Sequence, residues 1–211
     1  MLKYRHNFII LLKINNLLNK LLKLIPHFKP LLIMLKKILI GLAVLAVILF
    51  VAYQVMLMQG RKVSPEVKQS YTVGAAKIDL YYGSPSKRGR DIFGGLLKFG
   101  EVWRTGANEP TTFETDKNLK VGDKSLPTGK YSIWTIPQKD SWTVIFNKEV
   151  PGWGVSWGGV ASRNDKEDVA QVVVPAEKLT SAQEKLSIDA NNNALNISWD
   201  MTKVSVPIVV E

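Results

Sequence analysis

Residues 38–58 read ILIGLAVLAVILFVAYQVMLM, and this stretch decides how the rest of the chain is laid out. It contains no charged residue, one glutamine (Gln54) and one glycine (Gly41). A helix of this length spans roughly 31 Å, which matches the apolar core of a bilayer, about 30 Å thick. We therefore predict a transmembrane helix from Ile38 to Met58, with the lipid bilayer as its partner.

The arm before this stretch is strongly basic. Residues 1–37 hold eight of the 28 Lys and Arg residues and no acid, whereas the remaining 20 basic residues face all 18 acids. Apolar residues recur at helical spacing between residues 8 and 25, which predicts a basic amphipathic arm, and Pro26 and Pro30 are expected to interrupt the helix. The alternative is that translation starts at Met34, directly before the apolar run.

Charge around the apolar stretch predicts its orientation. Lys36 and Lys37 precede it, Arg61 and Lys62 follow it, and the arm makes the N-terminal side the more positive. The positive-inside rule then places the N-terminus in the cytoplasm and the following domain in the periplasm or outside the cell. The run is followed by no clean small-x-small cleavage site, which favours an uncleaved signal anchor over a cleaved signal peptide. Residues 59–70 are predicted to be a polar linker.

Residues 71–211 carry a β pattern. Short segments alternate between apolar and polar residues, and turn residues such as Gly122-Asp123 and Pro127-Thr128-Gly129 separate them. Tyr131 to Ile136 is apolar on both faces, as expected for a central strand. The alternating apolar positions include Ile78, Leu80, Tyr82, Trp142, Val144, Phe146, Leu186, Ile188, Leu195, Ile197, Trp199, Val204, Val206 and Ile208. Eight or nine such strands predict an all-β domain, an antiparallel β-sandwich or a barrel.

Composition excludes several kinds of chemistry from this domain. The chain has no Cys, and its two His residues, His6 and His27, both precede the apolar stretch. Disulfides, thiolate metal sites and His-dependent catalysis are therefore unavailable to the β domain, and we predict neither a metal nor a cofactor. Because the β domain is nearly neutral, we also predict no nucleic-acid binding.

Two glycine-rich segments depart from the strand pattern. Residues 84–112 read SPSKRGRDIFGGLLKFGEVWRTGANEPTT, in which Arg90 and Arg104 suit recognition of a carboxylate or phosphate, beside Trp103, Asn108 and Glu109. The alternative is a packed loop in which Trp103 is core and Arg104 pairs with Glu109 or Asp91. Residues 151–160 read PGWGVSWGGV, where an exposed Trp153 would suit sugar stacking and a buried one would be structural.

These segments carry a family resemblance. SPSKRGRDIFGGL, EVWRTGANEPTTF, LPTGKYSIWTIP, SWTVIFNKE and a Trp-Gly pair resemble the bacterial domain-of-unknown-function family 2911, common in Bacteroidetes, over about residues 71–207. The resemblance implies an exported or membrane-anchored protein and supplies no activity. It marks positions of interest, and our hypothesis assigns ligand binding to seven of them: Ser84, Arg90, Trp103, Arg104, Asn108, Glu109 and Trp153.

Three functional hypotheses follow. The first is a membrane-anchored periplasmic module that binds a glycan or a small anionic ligand. The second is a structural or protein-partner-binding module of the cell envelope. The third is a hydrolase that uses a carboxylate pair in place of histidine, with Asp91, Glu101, Glu109 and Glu114 as candidates.

Overall fold

The computed structural model describes residues 2–191 and 193–211, with helix side chains described for residues 12–20 and from residue 28 onward. The chain divides into two compact units, Met1–Met56 and Leu57–Glu211. The first is helical, and the second holds the last turns of the helix together with the β domain.

One helix, α1, runs from Leu2 to Val63. The predicted break at Pro26 and Pro30 is wrong, since the helix continues through both positions. Each proline removes one backbone hydrogen bond, while the flanking turns keep theirs and the apolar sequence continues on both sides. The segment Phe28–Val63 is long and apolar enough to cross a membrane, with a mean hydropathy of 2.7 in its most apolar window.

The junction between helix and sheet is shorter than the predicted linker 59–70. Helix α1 ends at Val63, and strand β1 begins at Glu66. Residues 66–70 look like a linker in sequence because they are polar, but they pair along their length with the following strand, β2 (Ala76–Gly83). An edge strand whose side chains largely face solvent shows this composition.

The second unit is a sandwich of two antiparallel sheets, as predicted. One sheet has six strands in the order β1-β2-β3-β6-β7-β8, and the other has four in the order β5-β4-β10-β9. The strands are β1 (Glu66–Val73), β2 (Ala76–Gly83), β3 (Thr111–Thr115), β4 (Leu119–Val121), β5 (Lys124–Leu126), β6 (Gly129–Pro137), β7 (Ser141–Asn147), β8 (Asp168–Pro175), β9 (Glu177–Asn191) and β10 (Ala194–Val210). A short 3-10 helix, Asp165–Glu167, precedes β8.

The core lies between the two sheets and is filled by the alternating positions predicted from sequence. Ile78, Leu80 and Tyr82 of β2 are buried there, as are the corresponding residues of β7, β9 and β10. Four aromatic rings pack at one end of this core. Trp103 stacks on Trp199 with 5.8 Å between ring centroids, and Phe93 packs edge-on against Trp142 at 4.8 Å.

Strand β10 folds back on itself. The backbone N of Ile208 donates to the carbonyl of Asn193 over 2.7 Å, and Ser205 Oγ donates to Asn196 Oδ1 over 2.8 Å. A straight strand would hold residues 193 and 208 roughly 50 Å apart, so the chain must reverse between them. The reversal falls near Asp200, which has a positive φ of 54°.

Two long excursions leave the six-stranded sheet and meet on its outer face. The first joins β2 to β3 through residues 84–110, and the second joins β7 to β8 through residues 148–167. Trp134 and Ile145 point away from the core yet are fully buried. Their cover is the second excursion, because Ser132, on the same face as Trp134, donates its hydroxyl to the carbonyl of Glu149 over 2.6 Å.

Candidate functional site

The β2–β3 excursion rejoins the sheet at Trp103. The backbone N of Trp103 donates to Thr135 O of β6 (2.7 Å), and Thr135 N donates back to Trp103 O (2.9 Å). Trp103 thus pairs with Thr135 of β6, whereas β3 itself pairs with β6 only from Thr111, which lies opposite Ile133. The chain then leaves the sheet once more as a short loop, residues 104–110, which we call the arginine loop.

The arginine loop has a strained backbone. Thr105 and Asn108 have positive φ angles of 56° and 66°, which is rare for a β-branched residue such as Thr105. Hydrogen bonds hold this conformation: Thr111 Oγ1 donates to Thr105 O (2.7 Å), and Trp103 Nε1 donates to Gly106 O (3.0 Å). Strain of this kind is typical of positions that hold a side chain for a function.

Arg104, the first residue of the loop, is a half-buried cation without an acidic partner. Its Nε is buried and makes no hydrogen bond, and burial lowers the pKa of its guanidinium. The predicted pairing with Glu109 is absent, since Glu109 pairs with Arg61 at 2.8 Å. Among the side chains that the structure describes, no carboxylate lies within 4.0 Å of Arg104.

Gly154 of the β7–β8 excursion packs directly on this arginine. A Cβ at position 154 would lie 2.1 Å from Arg104 Cδ and 2.9 Å from the carbonyl oxygen of Asn108. That carbonyl also accepts a hydrogen bond from Gly154 N over 3.0 Å. Only glycine fits here, so the two excursions are joined at Arg104 and Asn108.

A small cavity opens beside Arg104, between the two excursions. Its volume is about 180 Å³. Lys98, Glu101 and Arg104 line one side, and Val155, Gly159 and Ala161 line the other. The cavity is therefore lined by two cationic side chains and one acidic one, and among the described residues Glu101 makes no ion pair with Arg104 within 4.0 Å.

Ser84, Arg90 and Trp103 make contacts that stabilise the fold. Ser84 Oγ donates to Leu186 O of β9 over 2.7 Å, and Arg90 closes its own turn by donating to Ser86 O and Lys87 O. Trp103 belongs to the core and also borders the small cavity. A ligand-binding role for Ser84 and Arg90 stays a prediction that these contacts do not support.

Asn108 and Glu109 lie at the end of the domain where the chain enters it. Gly60 is a neighbour of Asn108, because a Cβ atom at position 60 would lie 3.5 Å from Asn108 Oδ1. Arg61 donates a hydrogen bond to the carboxylate of Glu109. The Nδ2 of Asn108 is buried without a partner among the described residues. Trp153, next to Gly154, is exposed.

A second and larger depression lies on the outer face of the six-stranded sheet. It is a groove of about 800 Å³, and its floor carries a row of directly opposed residues, Ser70, Asp79, Glu114 and Lys130. A parallel row contains Tyr81, whose pKa is raised to about 12 by burial and by the nearby carboxylates of Glu109 and Glu66. The groove therefore presents carboxylates, ammonium groups and hydroxyls, with the carboxylates of Asp79 and Glu114 on directly opposed residues.

Most groove residues were not predicted as site residues. Glu109 was predicted as a ligand-binding residue and Glu114 as a candidate carboxylate, and both line the groove. Ser70 and Asp79 were missed, because polar residues at outward positions of a strand are ordinarily a solvated face. The only available signal was that these positions alternate with the buried ones of β2.

Comparison with known proteins gives one family. The family model described as a protein of unknown function (DUF2911) matches residues 64–208, which is most of the second unit. Searches of curated proteins and of solved structures found no match.

Proposed function

The chain belongs to DUF2911, and we propose that its β domain is a membrane-anchored extracytoplasmic module that binds a small anionic ligand. The observation that carries the proposal is the unpaired guanidinium of Arg104. Its Nε is buried without a hydrogen bond, at the wall of a cavity of about 180 Å³.

The physical argument concerns the cost of burying a charge. A guanidinium removed from water loses hydration energy, and proteins normally compensate with a carboxylate or with several hydrogen bonds. Arg104 has neither on its Nε, although the arginine loop and Gly154 hold it tightly in place. A ligand carboxylate or phosphate bound by the terminal nitrogens of Arg104 would supply the missing counter-charge, and the two terminal nitrogens allow the bidentate geometry that arginine favours.

The proposed location rests on the helix. Phe28–Val63 has the length and hydropathy of a membrane span, and the basic residues that precede it favour a cytoplasmic N-terminus. The β domain would then lie outside the cytoplasm. A small cavity on a tethered domain suits capture of a soluble ion or of an acidic group on a larger molecule.

The test is an anion screen by thermal shift on the full chain in detergent, with phosphate, sulfate, acetate and citrate. We expect at least one anion to raise the Tm of the wild type saturably. The same anion should cause no rise in the Tm of a folded Arg104→Gln variant. Lys139→Gln is the matched control, because Lys139 is an exposed cation that does not line the cavity. An equal response of the two variants would overturn the proposal.

The groove supports a second candidate function, glycan binding. Its volume of about 800 Å³ and its mixture of carboxylates, amines and hydroxyls suit a polyhydroxylated chain better than a small ion. Titration with soluble cell-wall glycan fragments should give binding that Glu114→Gln weakens. Asp116→Asn is the control, since Asp116 lies outside the groove, and unaltered binding by Glu114→Gln would count against this assignment.

A further inference from the structure

Exposed apolar side chains border the small cavity. Trp157 is 103% exposed, Val160 66%, Leu96 47% and Phe99 42%. Leu96 lines the cavity itself, and Phe99 follows the lining residue Lys98 in the chain. Val160 lies between the lining residues Gly159 and Ala161, and Trp157 lies two positions before Gly159. We call these four side chains the apolar rim.

The backbone holds Trp157 at the tip of a small hairpin. Val155 and Ala161 form an antiparallel bridge, and Ser156 N donates to Val160 O over 2.8 Å. Gly159 N donates to Ser156 O over 3.1 Å, and Gly158 has a positive φ of 92°. This is a tight turn with Trp157 as its first central residue and glycine as its second. The indole is therefore presented to solvent by an ordered turn and serves no packing role within the domain.

The rim belongs to the excursion that meets the chain's point of entry into the domain. Asn108 contacts Gly154 through its carbonyl, and its side chain approaches Gly60 near the end of α1. Residues 57–63, the part of α1 that belongs to the second unit, are helical and span about 10 Å.

We propose that the apolar rim docks on the surface of a phospholipid bilayer, with a headgroup phosphate bound by Arg104 and Lys98. The proposal rests on the proposed anion site and membrane anchor, and it names the anion as part of a lipid. Tryptophan prefers the interfacial region of bilayers, and basic side chains beside it favour anionic headgroups. Leu96 lines the same cavity as Arg104 and Lys98, and the other three rim residues belong to the segments that form its two sides, as simultaneous contact with acyl chain and phosphate requires.

Lipid contact can be measured with the full chain in liposomes, because all six tryptophans (Trp103, Trp134, Trp142, Trp153, Trp157 and Trp199) lie in the β domain. The liposomes would contain phosphatidylcholine and phosphatidylglycerol, with or without bromine on the acyl chains, and bromine quenches only a nearby indole. We expect brominated lipid to quench the tryptophan fluorescence of the wild type. The share of this quenching that is lost in Trp157→Phe is the contribution of Trp157.

Docking variants then separate specific contact from simple tethering. Leu96→Asp, Val160→Asp and Arg104→Gln should each cause loss of the Trp157 quenching. Val173→Asp should keep it, because Val173 is similarly exposed, at 70%, but lies on β8. Equal quenching in Val160→Asp and Val173→Asp would overturn the proposal.

The two proposals fail in different ways. If Trp157 is unquenched while soluble phosphate still raises Tm through Arg104, lipid docking is wrong and small-anion binding stands; the rim would then suit a protein partner. If Arg104→Gln changes neither the phosphate-dependent rise in Tm nor the quenching of Trp157 by brominated lipid, both proposals are wrong.

Discussion

At the scale of single residues, Arg104 gives the sharpest prediction. We expect Arg104→Met to raise the free energy of unfolding by about 1 kcal/mol, because it keeps the aliphatic stem and removes an uncompensated buried charge. Urea denaturation of the ligand-free protein measures this. A loss of about 3 kcal/mol or more would instead identify Arg104 as the partner of a structural ion pair.

Gly154 offers a second residue-scale prediction with an internal control. In Gly154→Ala the new Cβ would clash with Arg104 Cδ at 2.1 Å and with the carbonyl oxygen of Asn108 at 2.9 Å. We expect a loss of about 1–3 kcal/mol of stability, together with loss of the anion-dependent rise in Tm.

Gly152→Ala is the control for that variant, because a Cβ there meets nothing within 4 Å. Its stability should stay within about 0.5 kcal/mol of the wild type. If the two alanine variants behave alike, the close packing of Gly154 on Arg104 does not position the arginine.

The same residues show how far sequence reasoning reaches. Arg104 was singled out because an arginine in a glycine-rich loop suits anion recognition, and the structure leaves it unpaired. Its contact with Gly154, 50 positions later, was not predictable, since it depends on two excursions crossing one sheet face. Arg90, chosen by the same reasoning, closes a local turn instead. Residue type and local sequence thus identify candidate binding residues. Only contacts between distant segments show which of these residues have a structural role instead.

At the scale of elements, the end of the β7–β8 excursion is held by Asp168. Arg163 donates to its two carboxylate oxygens over 3.0 and 2.6 Å, and Asn147 donates over 2.8 Å. Burial would raise the pKa of Asp168, but these hydrogen bonds, with one from Gln171, outweigh burial and hold the pKa below its usual value. The charged form is therefore the one that the fold stabilises.

Asp168→Asn should consequently lower stability at neutral pH by about 2–4 kcal/mol. Because the folded pKa is depressed, the contribution of Asp168 is present above the unfolded pKa near 4 and is lost as pH falls below it. The difference between wild type and variant should shrink over that acidic range, as measured by urea denaturation at several pH values. Asp140→Asn, which replaces an exposed carboxylate in a turn, is the control and should stay within about 0.5 kcal/mol of the wild type at neutral pH. A pH-independent difference for Asp168→Asn would contradict the assignment.

Elements were predicted better than their order. The alternating positions of β2, β7, β9 and β10 were correct because strand periodicity is a local property of the sequence. Strand β10 was predicted as two segments, 195–199 and 204–208, which agrees with the reversal near Asp200. The pairing of β3 with β6, across the β4–β5 hairpin that joins the other sheet, depends on contacts between distant segments. Local pattern contains no information on such pairing.

At the scale of the whole molecule, the charge and hydropathy of the chain are divided between its two units. The strongly basic and apolar sequence lies in residues 1–56, and the core of the sandwich is built from residues 73–208 alone. A domain of this size with its own core can be stable without the helix. Wash-resistant anchoring in the membrane should therefore be a property of the first unit and folding a property of the second.

This division gives the last prediction. The full chain should remain in the membrane fraction after high-salt and alkaline washing, because burial of about 20 apolar residues in a bilayer does not depend on charge. Residues 57–211 expressed alone should be soluble and should melt cooperatively. A shortened chain starting at Met34 tests the apolar segment without the basic arm. Its retention after the washes would assign anchoring to the apolar segment. Its release by salt would assign anchoring to the basic arm, because salt screens the attraction of basic residues to anionic lipid.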